Sequence, residues 1–235
     1  MKIVSVLALA SIAGMASAQA VSVGNGNAAN LGNDPFSSRA TLWDNGDTDG
    51  SNGYSNATSG VFGASRSLLD DFEVTDSAGW ILNDFHSLTL WSGGGSGIGT
   101  GYNLTFWSDN AGSPGAPMMS ANVNSYMETP TGRTWFSRPE MRHDVTFDDV
   151  FLPQGRYWVE MQVIGPDNNF HMVRSTVTGS EAWVNYDDLG GLQSGSAIFG
   201  APADLAFSLT GEIAPAPGAL ALLGLGGIAA IRRRR

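Results

Sequence analysis

No cysteine occurs among the 235 residues. That excludes a disulfide framework, thiol redox chemistry and a cysteine nucleophile, so a domain of this size has no covalent cross-link to support its core. Lysine is almost absent too: Lys2 is the only one, and four arginines are the last four residues. Between the two ends, seven arginines stand against 22 acids, a net charge of −15. Such a body repels nucleic acid and anionic membrane surfaces and suits a soluble extracellular protein. Histidine is scarce. His86, His143 and His171 lie far apart, without metal-pair spacing such as H-x-x-x-H. A G-x-S-x-G elbow and a glycine-rich phosphate loop are also missing.

Glycine is plentiful instead, at 31 residues, with 10 prolines. No stretch sustains apolar residues at i, i+3, i+4, i+7 over three turns, whereas several alternate with period two, so the body reads as all-β. The clearest is GRYWVEMQV, in which Tyr157, Val159, Met161 and Val163 fall on one face and Trp158, Glu160 and Gln162 on the other. Ahead of it, LPQG (Leu152–Gly155) is a turn signal, and DVTFDDVF is the expected hairpin partner. Further strands are expected in SLLDDFEV (Ser67–Val74), FHSLTLW (Phe85–Trp91), YNLTFW from Tyr102, FHMVRSTV (Phe170–Val177), AWVNY (Ala182–Tyr186) and DLAFSLTG (Asp204–Gly211). SDNAGSPG, after Trp107, reads as a dense turn. Roughly eight to eleven short strands predict a single β-sandwich, jelly-roll-like if eight of them make two Greek keys.

The two ends differ from the body. MKIVSVLALASIAGMASAQA has a positive Lys2, an apolar run from Ile3 and a small-residue Ala16-Ser17-Ala18 site, the layout of a secretory signal helix cut by signal peptidase between Ala18 and Gln19. At the other end, PAPGALALLGLGGIAAIRRRR holds an apolar run of 14 residues, Gly218 to Ile231. As a helix it spans about 21 Å against a hydrocarbon core of about 30 Å. The arginines behind it hold this end on the cytoplasmic side. The order proline, short apolar helix, basic cluster suits a transient stop. The expected organisation is a signal peptide over 1–18, a loose lead-in over 19–38, a β-sandwich domain over 39–212 and a sorting segment over 213–235.

On these residues the tail resembles the PEP-CTERM sorting signal of bacterial exported proteins. ALALLGLGG (Ala219–Gly227) and Arg232, Arg233, Arg234 and Arg235 match its glycine-rich apolar helix and basic cluster, while Pro215-Ala216-Pro217 replaces its Pro-Glu-Pro. The resemblance implies Gram-negative-type export, cleavage near the prolines by an exosortase-type membrane enzyme, and residence at the cell surface or in the extracellular matrix. More loosely, the body is similar to secreted β-sandwich domains that precede such tails. It shares LWDNG (Leu42–Gly46), DDF (Asp70–Phe72), WILNDFHSLTLW (Trp80–Trp91), TFWSDNAGSPG (Thr105–Gly115) and GRYW (Gly155–Trp158) with them. That likeness implies fold and location, and no activity.

Candidate sites within the body are few. In WDNGDTDGSNG (Trp43–Gly53), Asn45, Asp47 and Asp49 alternate ahead of Gly50 as in a calcium loop, with Asp44, Asp47 and Asp49 as the candidate ligands, but Asn56 stands where such a loop wants a bidentate glutamate; a polar turn is the simpler reading. Of Asp70 and Asp71, heading a strand, one should face inward, in a hydrogen-bonded structural role or, as the alternative, a second cation site; the structural role is the simpler reading. PEMRHD brings Glu140, His143 and Asp144 close in sequence, as an acid–base site would, though nothing else supports catalysis. Trp43, Trp80, Trp91 and Trp158 sit in strand patterns that fit a core. Trp107, Trp135 and Trp183 lie beside turns or opposite an apolar face, suited either to packing or to a platform for sugar rings. The expected protein is a non-enzymatic exported sandwich, with a polysaccharide-binding module as the alternative and a small glycan-active enzyme third.

Overall fold

Glycine, proline and asparagine turns cut the body into short extended pieces that must pair to satisfy their backbone groups. The structure, a computed structural model, describes residues 39–56, 58, 63–93 and 98–215. The signal peptide, the lead-in over 19–38 and everything after Pro215 lie outside the described residues. In chain order the strands are β1 (Ala40–Asp44), β2 (Gly53–Asn56), β3 (Arg66–Val74), β4 (Trp80–Trp91) and β5 (Gly101–Asp109). Then come β6 (Pro114–Ser120), β7 (Val123–Trp135), β8 (Arg138–Leu152), β9 (Gly155–Ile164) and β10 (Asn169–Arg174). Four shorter ones follow: β11 (Trp183–Tyr186), β12 (Gly191–Ser194), β13 (Asp204–Leu205) and β14 (Phe207–Ile213). One five-residue helix, α1 (Gly195–Phe199), is the only α-helix among the described residues, and none there is long and apolar enough to cross a membrane.

These strands form two antiparallel sheets. One has six strands in the order β12-β11-β3-β9-β5-β6. The other has eight and is built on β4, which pairs with β8 along most of its length, with β14 over residues 80–87 and with β10 over residues 89–91. A single buried cluster draws Leu68, Phe72 and Val159 from the first sheet and Leu82, Val145 and Phe207 from the second, so the sheets pack face to face as a sandwich. Phe85 stacks on Phe207 at 5.8 Å, and Phe72 meets Phe106 edge-on at 6.1 Å. Each such ring, truncated to alanine, costs about 3–5 kcal/mol.

The inferred hairpin between DVTFDDVF and GRYWVEMQV does not form. β8 pairs with β4 and β7, whereas β9 pairs with β3 and β5. LPQG instead carries the chain from one sheet to the other, and the Tyr157 hydroxyl pins the crossing by donating to the Pro153 carbonyl at 3.0 Å. SDNAGSPG is also shorter as a turn than it reads, since β6 begins at Pro114. An edge strand tolerates that proline because its missing N–H has no ladder partner to lose.

The acidic pair heading β3 divides as alternation requires. Asp70 points inward and is fully buried; its carboxylate accepts from the Asn45 amide (3.0 Å) and from the backbone N–H groups of Leu205 (2.6 Å) and Asp71 (2.8 Å). Asp71 points outward and accepts from the Arg156 guanidinium at 2.7 Å and the Ser180 N–H at 2.9 Å. Asp204 on β13 is buried as well. One of its oxygens takes the Thr178 N–H at 2.6 Å, while the other has no partner. Burial pushes Asp204 up to about 7, against the Thr178 hydrogen bond and the Arg174 charge and helped by Asp71. Burial and the charge of Asp204 likewise push Asp70 well above the usual carboxylate range.

A carboxyl with a raised pKa in the fold stabilises it while protonated and loses that contribution as pH rises through the folded value. For Asp204 the loss runs from pH 3.8 to about 7. Burial raises Glu128, but hydrogen bonds from His143 and Tyr126 outweigh it and leave this side chain at about 2, so it withdraws stability only below pH 4.5. The melting temperature is therefore expected to be higher near pH 5 than near pH 8. Asp204→Asn should flatten that slope and raise the value near pH 8. A wild-type slope preserved in the variant would contradict the assignment.

Candidate functional site

The β9 residues that face away from the core are Trp158, Glu160 and Gln162, and register fixes their neighbours. On β5, Trp107 lies opposite Trp158, Thr105 opposite Glu160 and Asn103 opposite Gln162. Across β3, Leu69 faces Glu160 on one side and Trp183 of β11 on the other, and Ser67 pairs with Asn185. These residues share one face because each is an even step from the next along its strand. Ser67, Asn103, Thr105, Glu160, Gln162 and Asn185 line a depression of about 310 Å³, with Ser120 of β6 and Asp187 on its margins.

Glu160 organises its floor. One carboxylate oxygen accepts from the Ser67 hydroxyl (2.5 Å) and the Asn185 amide (3.1 Å), and the other accepts from the Trp107 indole N–H (3.0 Å). Three strands thus fix one carboxylate, and the carboxylate fixes the edge of one indole. Trp158 lies fully buried beside it, its N–H on Asp109 at 3.0 Å. Trp183 meets Trp158 edge-to-face, centroids 6.4 Å apart and planes at 80°. Half-buried Trp107 and Trp183 therefore flank a buried third indole, and Trp107 adjoins the polar depression through its bond to Glu160.

Such a surface presents fixed acceptors, hydroxyls that both donate and accept, and amides, with the Trp107 indole beside it. This is the complement of a sugar, whose hydroxyls need both roles and whose C–H face packs on an indole. Among the described residues no arginine, lysine or histidine lines it, so none of them grips a phosphate or carboxylate there.

Of the three tryptophans singled out in the sequence, the fold brings Trp107 and Trp183 to one face and sends Trp135 to the other sheet. Its ring lies over Gly50, which has φ +70°, where an added Cβ would approach within 2.2 Å. Its N–H donates to buried Glu140 at 2.7 Å. Beside it, the Arg133 guanidinium binds both oxygens of Asp47, reaches Glu140 at 2.7 Å and stands 5.8 Å from the Trp135 ring. The end of β7 thereby clamps the 44–52 loop.

Asp44, Asp47 and Asp49 do not converge on one point. Asp44 accepts from the Gly46 N–H at 2.7 Å, Asp47 is held by Arg133, and Asp49 takes the hydroxyls and N–H groups of Ser51 and Ser175. Burial is the largest single influence on Asp49 and raises it, but those four bonds together prevail and leave it at about 2. Among the described residues no group of three or more His, Asp or Glu side chains is arranged to hold a metal.

Alternation along β8 turns His143 to the face opposite Glu140 and Asp144, which lie four residues apart on the other face. Glu140 joins Arg133 and Trp135, and Asp144 joins His86 and Arg142. His143 turns inward to Thr89 (2.9 Å), Tyr126 (3.2 Å) and Glu128 (3.3 Å). Burial lowers its pKa despite Glu128. Of the residues carrying the sorting and signal motifs, only Pro215 is described, exposed after β14; Ala18, Gln19, Ala216, Pro217 and Arg232–Arg235 lie outside the described residues.

The sequence reading placed Glu160 on the outward face but gave it no role. The missing signal was the order β11-β3-β9-β5, which alone brings Ser67, Asn185 and Trp107 to it. No family model, curated protein or solved structure matches the chain.

The 44–52 loop already has a cation in Arg133. Addition of about 1 mM calcium is expected to leave the melting temperature unchanged. Arg133→Ala should lower it, at a cost of about 2 kcal/mol, because buried Glu140 loses its charged partner. A calcium-dependent rise in the wild-type protein would return the loop to cation binding.

Proposed function

We propose that the chain is an exported, non-enzymatic sandwich protein of the cell surface or extracellular matrix of a Gram-negative-type bacterium, and that it meets extracellular polysaccharide through the Trp107–Glu160 depression. The body is read as a jelly-roll-like sandwich between an N-terminal signal helix and a short C-terminal apolar helix. Signal peptidase and an exosortase-type enzyme are its partners during export, and the arginines keep the tail facing the cytoplasm until it is removed. No cofactor is required by this reading.

The observation that carries the polysaccharide contact is Glu160, held by Ser67, Asn185 and Trp107 in an open polar depression beside two half-buried indoles. Prearranged groups lose little entropy on binding. Both Glu160 oxygens are occupied by neutral donors, which suits a fixed acceptor better than a proton-transferring acid. A strongly acidic, lysine-poor body fits an extracellular setting in which nucleic acid and anionic lipid are not the partners.

Two outcomes are expected. The protein should sediment with at least one insoluble or cross-linked polysaccharide in a pull-down panel, and Trp107→Ala should weaken that binding at least about tenfold. Retention by no polymer would overturn the contact. Mass spectrometry of protein recovered from the producing cells should find an N-terminus at Gln19 and no peptide containing Arg232–Arg235. An intact C-terminus on the secreted protein would overturn the processing.

A further inference from the structure

Resting on that reading of the site, we infer that the polysaccharide is uncharged and that Glu160, with Asp187 at the rim, is the residue that rejects acidic chains. The inference comes from how this molecule distributes its few cations. Asp47, Asp71, Asp144 and Asp188 are each paired with an arginine: Arg133, Arg156, Arg142 and Arg66. Glu160 is not among the acids paired in this way. Its partners are a hydroxyl, an amide and an indole N–H, all neutral, so its negative charge is oriented without being cancelled.

Two arginines of the same sheet are committed elsewhere. Arg66 forks onto Asp188 and lies over the Tyr186 ring at 4.7 Å, and Arg156 holds Asp71. The lining of the depression therefore contains two carboxylates and no cation. A uronate or sulfate placed there would meet Glu160 without a counter-charge, inside a body that carries −15 overall. Like charges brought together without compensation are costly and act against the wrong partner. A neutral chain meets no such penalty. Its hydroxyls donate to the carboxylate and side-chain amide oxygens, and its ring faces reach Trp107 and Trp183.

The test compares neutral polymers (glucan, mannan and galactan) with a polyuronate of matched length, by affinity electrophoresis of the purified protein. At least one neutral polymer should retard the protein to an extent that salt barely changes. In about 10 mM salt, where the Debye length is about 30 Å, the polyuronate should bind at least about tenfold more weakly; in about 1 M salt the gap should narrow. Glu160→Gln and Asp187→Asn should narrow the low-salt gap by strengthening polyuronate binding. A role confined to packing would weaken both polymer classes alike and leave their ratio unchanged. Asp187 is exposed, so its variant keeps the test valid if the Glu160 variant folds poorly. Equal binding of both classes at low salt, or a gap that neither variant changes, overturns the selectivity while leaving the polysaccharide contact standing. Binding of no polymer overturns both.

Discussion

Strand β9 faces two environments at once, and the rest of the structure follows from keeping them apart. Tyr157, Val159, Met161 and Val163 enter the core, while Trp158, Glu160 and Gln162 turn away from it. A slip of one residue against β3 or β5 would exchange the two sets, burying a carboxylate and an amide and exposing the apolar stripe. The register is thus enforced by the core, and the outer face inherits its order without cost. Glu160 meets Ser67, Asn185 and Trp107 because three neighbouring strands are locked by apolar side chains on their opposite faces.

Charge is managed with equal economy. With seven arginines in the body against 22 acids, each guanidinium has structural value. Arg133 joins the end of β7 to the 44–52 loop, Arg156 reaches from β9 to Asp71, and Arg66 ties β3 to Asp188 after β11. In a protein without disulfides these ion pairs, partly withdrawn from solvent, fasten loops that the core does not reach. Among the described residues, Asp70 and Asp204 are buried without an arginine in an ion pair. Asp70 is satisfied by an amide and backbone N–H groups, and Asp204 keeps one oxygen unpaired, which is why both are displaced toward neutral pH.

Much of the strand content was legible, because alternation is a local property. The β3, β5, β9, β10 and β11 segments fall where their patterns predict, and Asp70 and Asp71 divide between the two faces as their adjacency demands. Pairing was not legible. LPQG looks like a hairpin turn whether it joins strands of one sheet or crosses between two, since the turn signal carries no information about the partner. PEMRHD gathers an acid, a histidine and another acid in sequence, yet a strand sends odd and even positions to opposite faces, so His143 leaves both acids, and the two acids are taken by different arginines. Trp135 shows the same limit: its sequence context resembles that of Trp107, and only the bend of β7 over Gly50 assigns it to a clamp.

By itself, the sequence determined an all-β body with an acidic surface, no covalent cross-links, and an outward face on β9 bearing an indole, a carboxylate and an amide. These follow from composition and from a period of two, which need no knowledge of neighbours. Tertiary structure alone decided that Glu160 would be gripped by three strands, that Asp47 would receive a guanidinium from a distant hairpin, and that His143 would be buried apart from Glu140 and Asp144. Each depends on which strands lie side by side, and that order is set by the packing of two whole sheets, a long-range property that no short stretch of chain encodes.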